Sequence, residues 1–408
     1  MLDLDFVRSQ FPALAGEWTY LDNAGGSQVL VGVADRVRDY LLSTNVQLGA
    51  SYAVSRQAGE RVAEATRAVA ASINAADESE VVIGPSTTQL LANLALAMRP
   101  QLAPGDEVIV TNCDHEANIG PWVRLADQGV VVKTWEVDPD TLELRASDLE
   151  ALMTERTRLV CFTHASNILG TINPVADITR RVHERGARVC VDAVSYAPHR
   201  ALDVQAWDVD YYVFSSYKVY GPHLAVLYGK RELLEGLATI NHFFVADEDV
   251  PRKLQPGSVN YELTYGLLGV IEYFEALAQR TAPSLAGGLH GRVVQAFESV
   301  AEQEEALATR LLGYLRSKNG VKVLGHDSAD RAVRVPTVSF TAEGHDPAAV
   351  AAHVDGGRIG IRYGDFYARR LIESLGLGER NGVVRVSMVH YNTLDEIDAL
   401  IARLDGLL

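Results

Sequence analysis

Cysteine is scarce: Cys113, Cys161 and Cys190 are the only three in 408 residues, an odd number with no Cys-x-x-Cys pair. Each lies in a separate apolar segment, which excludes a disulfide framework and points to a reducing compartment. Long apolar runs are also missing. No stretch approaches the ~20 residues that span a bilayer, and the opening Met1-Leu2-Asp3-Leu4-Asp5 is acidic where a secretion signal is basic. A cytoplasmic protein without a membrane partner is expected. Positive charge is in deficit, 37 Lys+Arg against 53 Asp+Glu, and the net charge of −16 repels phosphate backbones, so nucleic acid is not an expected partner. No Gly-x-Gly-x-x-Gly follows a strand-like run, which disfavours a dinucleotide fold, and neither His115-Glu116 nor His183-Glu184 continues to His-Glu-x-x-His, so no metal is expected.

What is present is an ordinary globular composition, 48% hydrophobic and 22% charged. The chain exceeds the ~150 residues of a typical domain, so a large domain with a smaller one is expected. Short β-rich runs at 107–112, 131–135, 158–163, 188–193, 210–215 and 223–229 alternate with helical stretches such as 174–185, which runs out near Gly186. Such alternation predicts a mostly parallel sheet joined by crossovers. A long helical pattern over 291–318 bridges to strands at 321–325, 334–342 and 383–391 and helices at 347–354 and 394–405, a smaller α+β unit. Thr393 with Glu396 three residues on predicts a capping box at the last helix.

The chemistry concentrates at strand ends. Asp192 closes an apolar strand, and Lys218 follows the next one, 26 positions later, so both side chains can reach one crevice. A lysine beside Ser215, Ser216 and Tyr217 is suited to Schiff-base chemistry if burial lowers its pKa, and a nearby carboxylate suits a pyridinium nitrogen. Without further context such an Asp and Lys are more often a surface pair. Ser86-Thr87-Thr88-Gln89 opens a helix after Val81-Val82-Ile83-Gly84: it offers hydroxyls and amide N–H groups to a phosphate, or simply a capping box from Ser86 to Gln89. His115 can stack on a planar cofactor, exchange protons, or be a polar loop residue. Ser215-Ser216-Tyr217-Lys218 also matches the Ser-x-x-Lys nucleophile motif of penicillin-recognising enzymes, but the companion Ser-Asp-Asn and Lys-Thr-Gly elements are missing.

From Tyr20-Leu21-Asp22-Asn23-Ala24-Gly25-Gly26 to Val389-His390-Tyr391-Asn392-Thr393 the sequence resembles the class V aminotransferase family of pyridoxal 5'-phosphate (PLP) enzymes, in its cysteine desulfurase-like branch. The resemblance implies an α/β, PLP-dependent transferase-like fold. Residues 1–20 would be an N-terminal segment packed with the small domain, 21–288 the large PLP-binding domain and 289–408 the small C-terminal α+β domain. It implies that Lys218 carries the cofactor as a Schiff base, that Asp192 pairs with the pyridine nitrogen and that His115 stacks on the ring. Thr87, Thr88, Ser215 and Tyr217 would hold the phosphate, and Ser258 would reach the other subunit's phosphate site, making a homodimer with shared active sites. Asn167 and Arg385 would grip the substrate's α-carboxylate, with Arg362 and Tyr367 beside them.

Two departures from the family stand out. Ser195 occupies the place of a glutamine or histidine near the cofactor's ring oxygen. Tyr367, in the loop Gly360-Ile361-Arg362-Tyr363-Gly364-Asp365-Phe366-Tyr367-Ala368, occupies the place of the sulfur-accepting cysteine, and a phenol cannot carry a persulfide. Cys161 and Cys190 read as buried hydrophobes, and Asp114 beside Cys113 raises that thiol's pKa. The expected activity is therefore PLP-dependent action on an amino acid through an external aldimine: β-elimination at an S-substituted cysteine, a C–S lyase. Transamination, decarboxylation with deamination, epimerisation and carbon-bond formation are alternatives in the same cofactor class, and a non-catalytic scaffold is the alternative outside it.

Overall fold

The computed structural model describes residues 2–282 and 288–408. Seven strands form the large sheet: β1 (Val81–Gly84), β2 (Glu107–Thr111), β3 (Val131–Trp135), β4 (Thr157–Thr163), β5 (Arg188–Asp192), β6 (Tyr211–Ser215) and β7 (Ala225–Gly229), in the spatial order β1-β7-β6-β5-β4-β2-β3. All neighbours are parallel except β7, which runs antiparallel to both β1 and β6. The reason is chain length: the nine residues from Ser216 to Leu224 are too few for the dozen or more that a parallel crossover needs.

Both faces of this sheet are covered, so its strands read as continuous apolar runs rather than alternating ones. The side-chain period of two still sorts them. Val189, Val191 and Phe214 join one apolar cluster, whereas Cys190 and Val213 join another with Leu90, Leu91 and Leu94 of the helix Thr87–Met98. Thr163, Asp192 and Ser215, each at the carboxyl end of its strand, share the parity of the second set. Their side chains therefore face the N-terminus of that helix.

The helix Val175–His183 ends as its glycine suggested, with Gly186 at φ 75° and its N–H donating to the His183 carbonyl. A second sheet is wholly antiparallel: β8 (Val321–Leu324), β9 (Thr337–Ala342), β10 (Arg362–Gly364) and β11 (Val383–Ser387), ordered β10-β11-β9-β8. The helix Leu289–Arg316 spans the two regions, with Val293, Phe297 and Val300 in the first apolar cluster and Leu307, Leu311 and Leu315 in the cluster under the second sheet. The N-terminal segment divides. Val7 and Phe11 pack into the large-sheet cluster, whereas Thr19–Tyr20 pairs in parallel with Ile359–Gly360 beside the second sheet.

The capping box at the last helix is complete: Glu396 N–H donates to Thr393 Oγ1, and Thr393 N–H to Glu396 Oε2, both at 3.1 Å. At the helix Thr87–Met98 only half of the expected box forms. Gln89 N–H donates to Ser86 Oγ, but the Gln89 side chain turns along the helix to Asn93 Oδ1 at 2.8 Å. Among the described residues no helix is long and apolar enough to cross a membrane, and no group of three or more His, Cys, Asp or Glu is arranged to hold a metal ion.

Candidate active site

One cavity collects side chains from five separate parts of the chain. Thr87 and Thr88 come from the helix start after β1, and His115 from the loop after β2. Asn167 follows β4, Asp192 and Ser195 stand at and just past the end of β5, and Ser215, Tyr217 and Lys218 at and just past the end of β6. The carboxyl ends of parallel strands meet here, which is where open α/β sheets place their ligands. Thr87 and Ser215 join their hydroxyls at 2.7 Å, so the helix start and the lysine-bearing turn form one polar rim. With the amide N–H groups of a helix N-terminus beside them, these hydroxyls suit a phosphate.

Lys218 is buried in a 3-10 turn directly after β6. Burial is the main influence that brings its ammonium down to about 8; Arg385 adds to this, and Asp192 and Asp22 oppose it. Burial lifts the Asp192 carboxyl to about 6, against the Val194 N–H bond at 2.9 Å and the charge of Lys218. It remains ionised at neutral pH, a fixed negative charge on the cavity floor. His115 is pushed down to about 4, chiefly by burial and then by Lys218, so its ring is neutral; Nδ1 accepts the Ala117 N–H at 3.0 Å. A neutral, oriented imidazole can stack on a flat ring without adding charge.

Of the carboxylate-binding candidates Asn167 lines this cavity, whereas Arg385, which binds the Asn167 carbonyl, and Arg362 stand behind the lining. Arg385, on β11 and only 2% exposed, donates through Nη1 to the Asn167 carbonyl and through Nη2 to Asp22 Oδ1, both at 3.1 Å. Arg362 donates to the other oxygen of Asp22 at 2.8 Å and is largely exposed. Asp22 thus bridges the two arginines. Two buried polar atoms here have no partner, Asn167 Oδ1 and Arg385 Nε. Since nearly all buried polar groups in folded proteins are satisfied, an open acceptor and an open donor on two residues in direct contact mark a candidate place for a bound group.

Tyr367 does not line the cavity. Its ring lies 5.1 Å from that of His115, at the mouth, and is 72% exposed. Ser258 lies apart, in a neighbouring cavity with Gln89, His223 and Asn260. No cysteine borders the site. All three are free and buried; burial and the adjacent Asp114 push the Cys113 thiol up, and Cys161 and Cys190 face each other across β4 and β5.

Three residues of the site escaped sequence reasoning. Asp22 sits inside a quoted motif, but nothing local signals its reach to Arg385. Asp114, lifted to about 7 chiefly by burial, ties the His115 loop to β4 by accepting the Thr163 N–H at 3.0 Å and Asn118 Nδ2 at 2.6 Å. Phe366 packs over Arg385, its ring centroid 3.8 Å from the guanidinium carbon.

The sequence matches the family described as "Aminotransferase class-V" over residues 19–400. It is 46% identical to the aminotransferase-like protein FGM3 of Gibberella zeae, covering 99% of this chain and 98% of the relative. It is 34% identical to the cysteine desulfurase-like protein ustD of Aspergillus flavus, covering 100% and 91% respectively. In structure it resembles a cysteine desulfurase from Thermococcus onnurineus, with a TM-score of 0.88, 26% identity and coverage of 100% of this chain and 98% of that one.

The donor set fits the cofactor of that family. Hydroxyls at a helix start suit the phosphate, an ionised buried Asp192 suits a protonated ring nitrogen, and a buried lysine with a lowered pKa suits a Schiff base. The chain belongs to the class V aminotransferase family, in its cysteine desulfurase-like branch, and its cofactor is pyridoxal 5'-phosphate.

Proposed function

We propose that this chain is a PLP-dependent C–S lyase that performs β-elimination on an S-substituted cysteine. The observation that carries this reading is the absence of any cysteine from the cavity lining, with Tyr367 at the mouth beside His115. Desulfuration through an enzyme persulfide needs a thiolate nucleophile, and elimination needs none. Among the described residues no thiol is placed to supply one.

When bound, PLP supplies an electron sink at the substrate's Cα. The rest falls to the chain's own residues. Lys218 would hold the cofactor, and its amine, which burial brings down to about 8 in the free chain, would be the group to take the Cα proton. The Cβ–S bond breaks with its electron pair on sulfur, and the leaving thiolate departs as a thiol once protonated. With water, the remaining carbon skeleton gives pyruvate and ammonia. Asp192 would keep the ring nitrogen protonated, and His115 would cover the ring with a neutral imidazole. Arg385, still charged because its guanidinium falls only to about 10, and Asn167 orient the α-carboxylate. Thr87, Thr88, Ser215 and Tyr217 hold the phosphate. Ser195, in the cavity lining, would serve the ring oxygen, and Arg362 would act on the substrate through its pair with Asp22. Ser258 works in the site of a second copy, so the enzyme is a homodimer.

Carbon-bond formation on the same Lys218–Asp192 apparatus is the second reading. It is favoured by the exposed Tyr367 ring beside His115, which offers an aromatic surface to a second substrate. The deciding experiment incubates PLP-loaded protein with S-alkyl and S-glycosyl cysteines and measures pyruvate, ammonia and thiol. Their appearance supports the lyase. Their absence from protein that carries cofactor refutes it, and a product retaining the amino-acid carbons joined to an added aldehyde supports the second reading.

A further inference from the structure

Phe366 and Tyr367 adopt successive left-handed conformations, with φ of 51° and 60°. Bulky residues avoid this region, and such strain persists only where surrounding contacts over-determine it. Here they do. Tyr367 N–H donates to Asp365 Oδ1 at 3.0 Å, and the Tyr367 carbonyl accepts the Glu116 N–H at 2.8 Å. The Phe366 carbonyl accepts Asn167 Nδ2 at 2.8 Å. Arg370 clasps Glu116 through two bonds, of 3.0 and 3.1 Å, so the loop is pinned to the segment that carries His115.

The result of this clamp is the position of the Phe366 ring. It covers one face of the Arg385 guanidinium, while the edges of that group are taken by the Asn167 carbonyl and Asp22. Arg385 Nε is left without a partner, and so is Asn167 Oδ1, whose own amide is turned by the Phe366 carbonyl. One residue thus sets both members of the pair, through its ring on one side and its carbonyl on the other. By excluding water from the guanidinium face, the ring also strengthens whatever bond the open donor makes.

We propose that Phe366 is the positioning residue for substrate-carboxylate recognition, holding the Arg385 guanidinium with its Nε donor left open for the carboxylate. This rests on the reading that Arg385 and Asn167 bind the α-carboxylate. Phe366 itself touches neither the substrate nor the cofactor in this role. Because it also packs with Cys113, Ile168 and Leu371, its test must separate positioning from packing.

The test titrates PLP-loaded enzyme with an amino acid, and with the amine of the same side chain lacking the carboxylate, following cofactor absorbance. Phe366→Leu, which keeps an apolar side chain but removes the aromatic face, is expected to weaken amino-acid binding about tenfold, the scale of a desolvated cation–π contact. Amine binding stays near wild type, the melting temperature falls by a few degrees for the lost ring packing, and Phe366→Tyr restores amino-acid binding. If Phe366→Leu does not fold, Phe366→Met takes its place. Wild-type discrimination in the aliphatic variant, or equal losses for amino acid and amine, overturns the proposal. If Phe366→Leu behaves as wild type while Arg385→Ala loses the carboxylate preference, the proposal alone fails. An Arg385→Ala enzyme that keeps the full preference overturns the underlying reading, and the proposal with it.

Discussion

Replacing Asp192 by asparagine should make the cofactor-free protein more stable and the cofactor less tightly held. In the folded chain burial lifts the Asp192 carboxyl from its ordinary 3.8 to about 6, with one hydrogen bond from Val194 N–H in partial compensation. At 1.36 kcal/mol for each tenfold in acidity, that rise corresponds to about 3 kcal/mol of destabilisation when the group is ionised. The sign follows from linkage. The folded state binds this proton more tightly than the unfolded chain does, so the penalty is absent below about pH 4, grows as pH rises and is complete above about 6. An asparagine keeps an oxygen for the Val194 N–H and carries no charge.

The expected readout is the melting temperature of cofactor-free protein across this range. With ~2 cal/mol/K of unfolding entropy per residue, 408 residues translate 3 kcal/mol into an upward shift of ~3–4 °C at pH 7.5. The gap to wild type closes towards pH 4. The same substitution removes the charge that supports the Lys218 ammonium, so the pH at which Lys218 reacts with aldehydes moves below about 8. With PLP added the order reverses: the variant loses cofactor more readily, because the ring nitrogen has no counter-charge. An asparagine variant that melts at or below wild type at pH 7.5 without cofactor, or that retains PLP as tightly as wild type, would refute the reasoning.

Two other outcomes follow. Borohydride reduction of the PLP-loaded protein should leave the cofactor covalently attached at Lys218, read by intact mass, and Lys218→Ala should show no such addition; an adduct surviving in the variant would remove Lys218 from its role. Cys113→Ala should leave amino-acid turnover unchanged, at a stability cost of about 1 kcal/mol for the lost buried atom. A loss of turnover in that variant would return the thiol to the chemistry.

Much of the site was legible from strand ends and motifs. Asp192, Ser215 and Lys218 were readable because the period of a strand and its apolar run show where the backbone emerges from the sheet. The capping box at Thr393 was equally local, three residues from donor to acceptor. The corresponding box at Ser86 formed only by half, because Gln89 found a second partner one helical turn on, a competition that a four-residue pattern does not contain. The place of Tyr367 was read from family likeness, yet the neighbouring Phe366 packs on Arg385. Which of two adjacent aromatics turns inward depends on left-handed backbone angles imposed by Glu116, Asn167 and Arg370 from elsewhere in the chain.

The sequence by itself determined the alternating α/β architecture, the scarcity of thiols and the residue types that a PLP site requires, because these are matters of composition, periodicity and short spacing. Only the tertiary structure decided that Asp22 bridges Arg362 and Arg385, that Asp114 fastens the His115 loop to β4, and that every cysteine is turned away from the cavity. It also decided the charge states. Burial brings Lys218 down to about 8 and lifts Asp192 to about 6 by withdrawing water from both, and no side chain's surroundings exist until segments hundreds of residues apart have packed together.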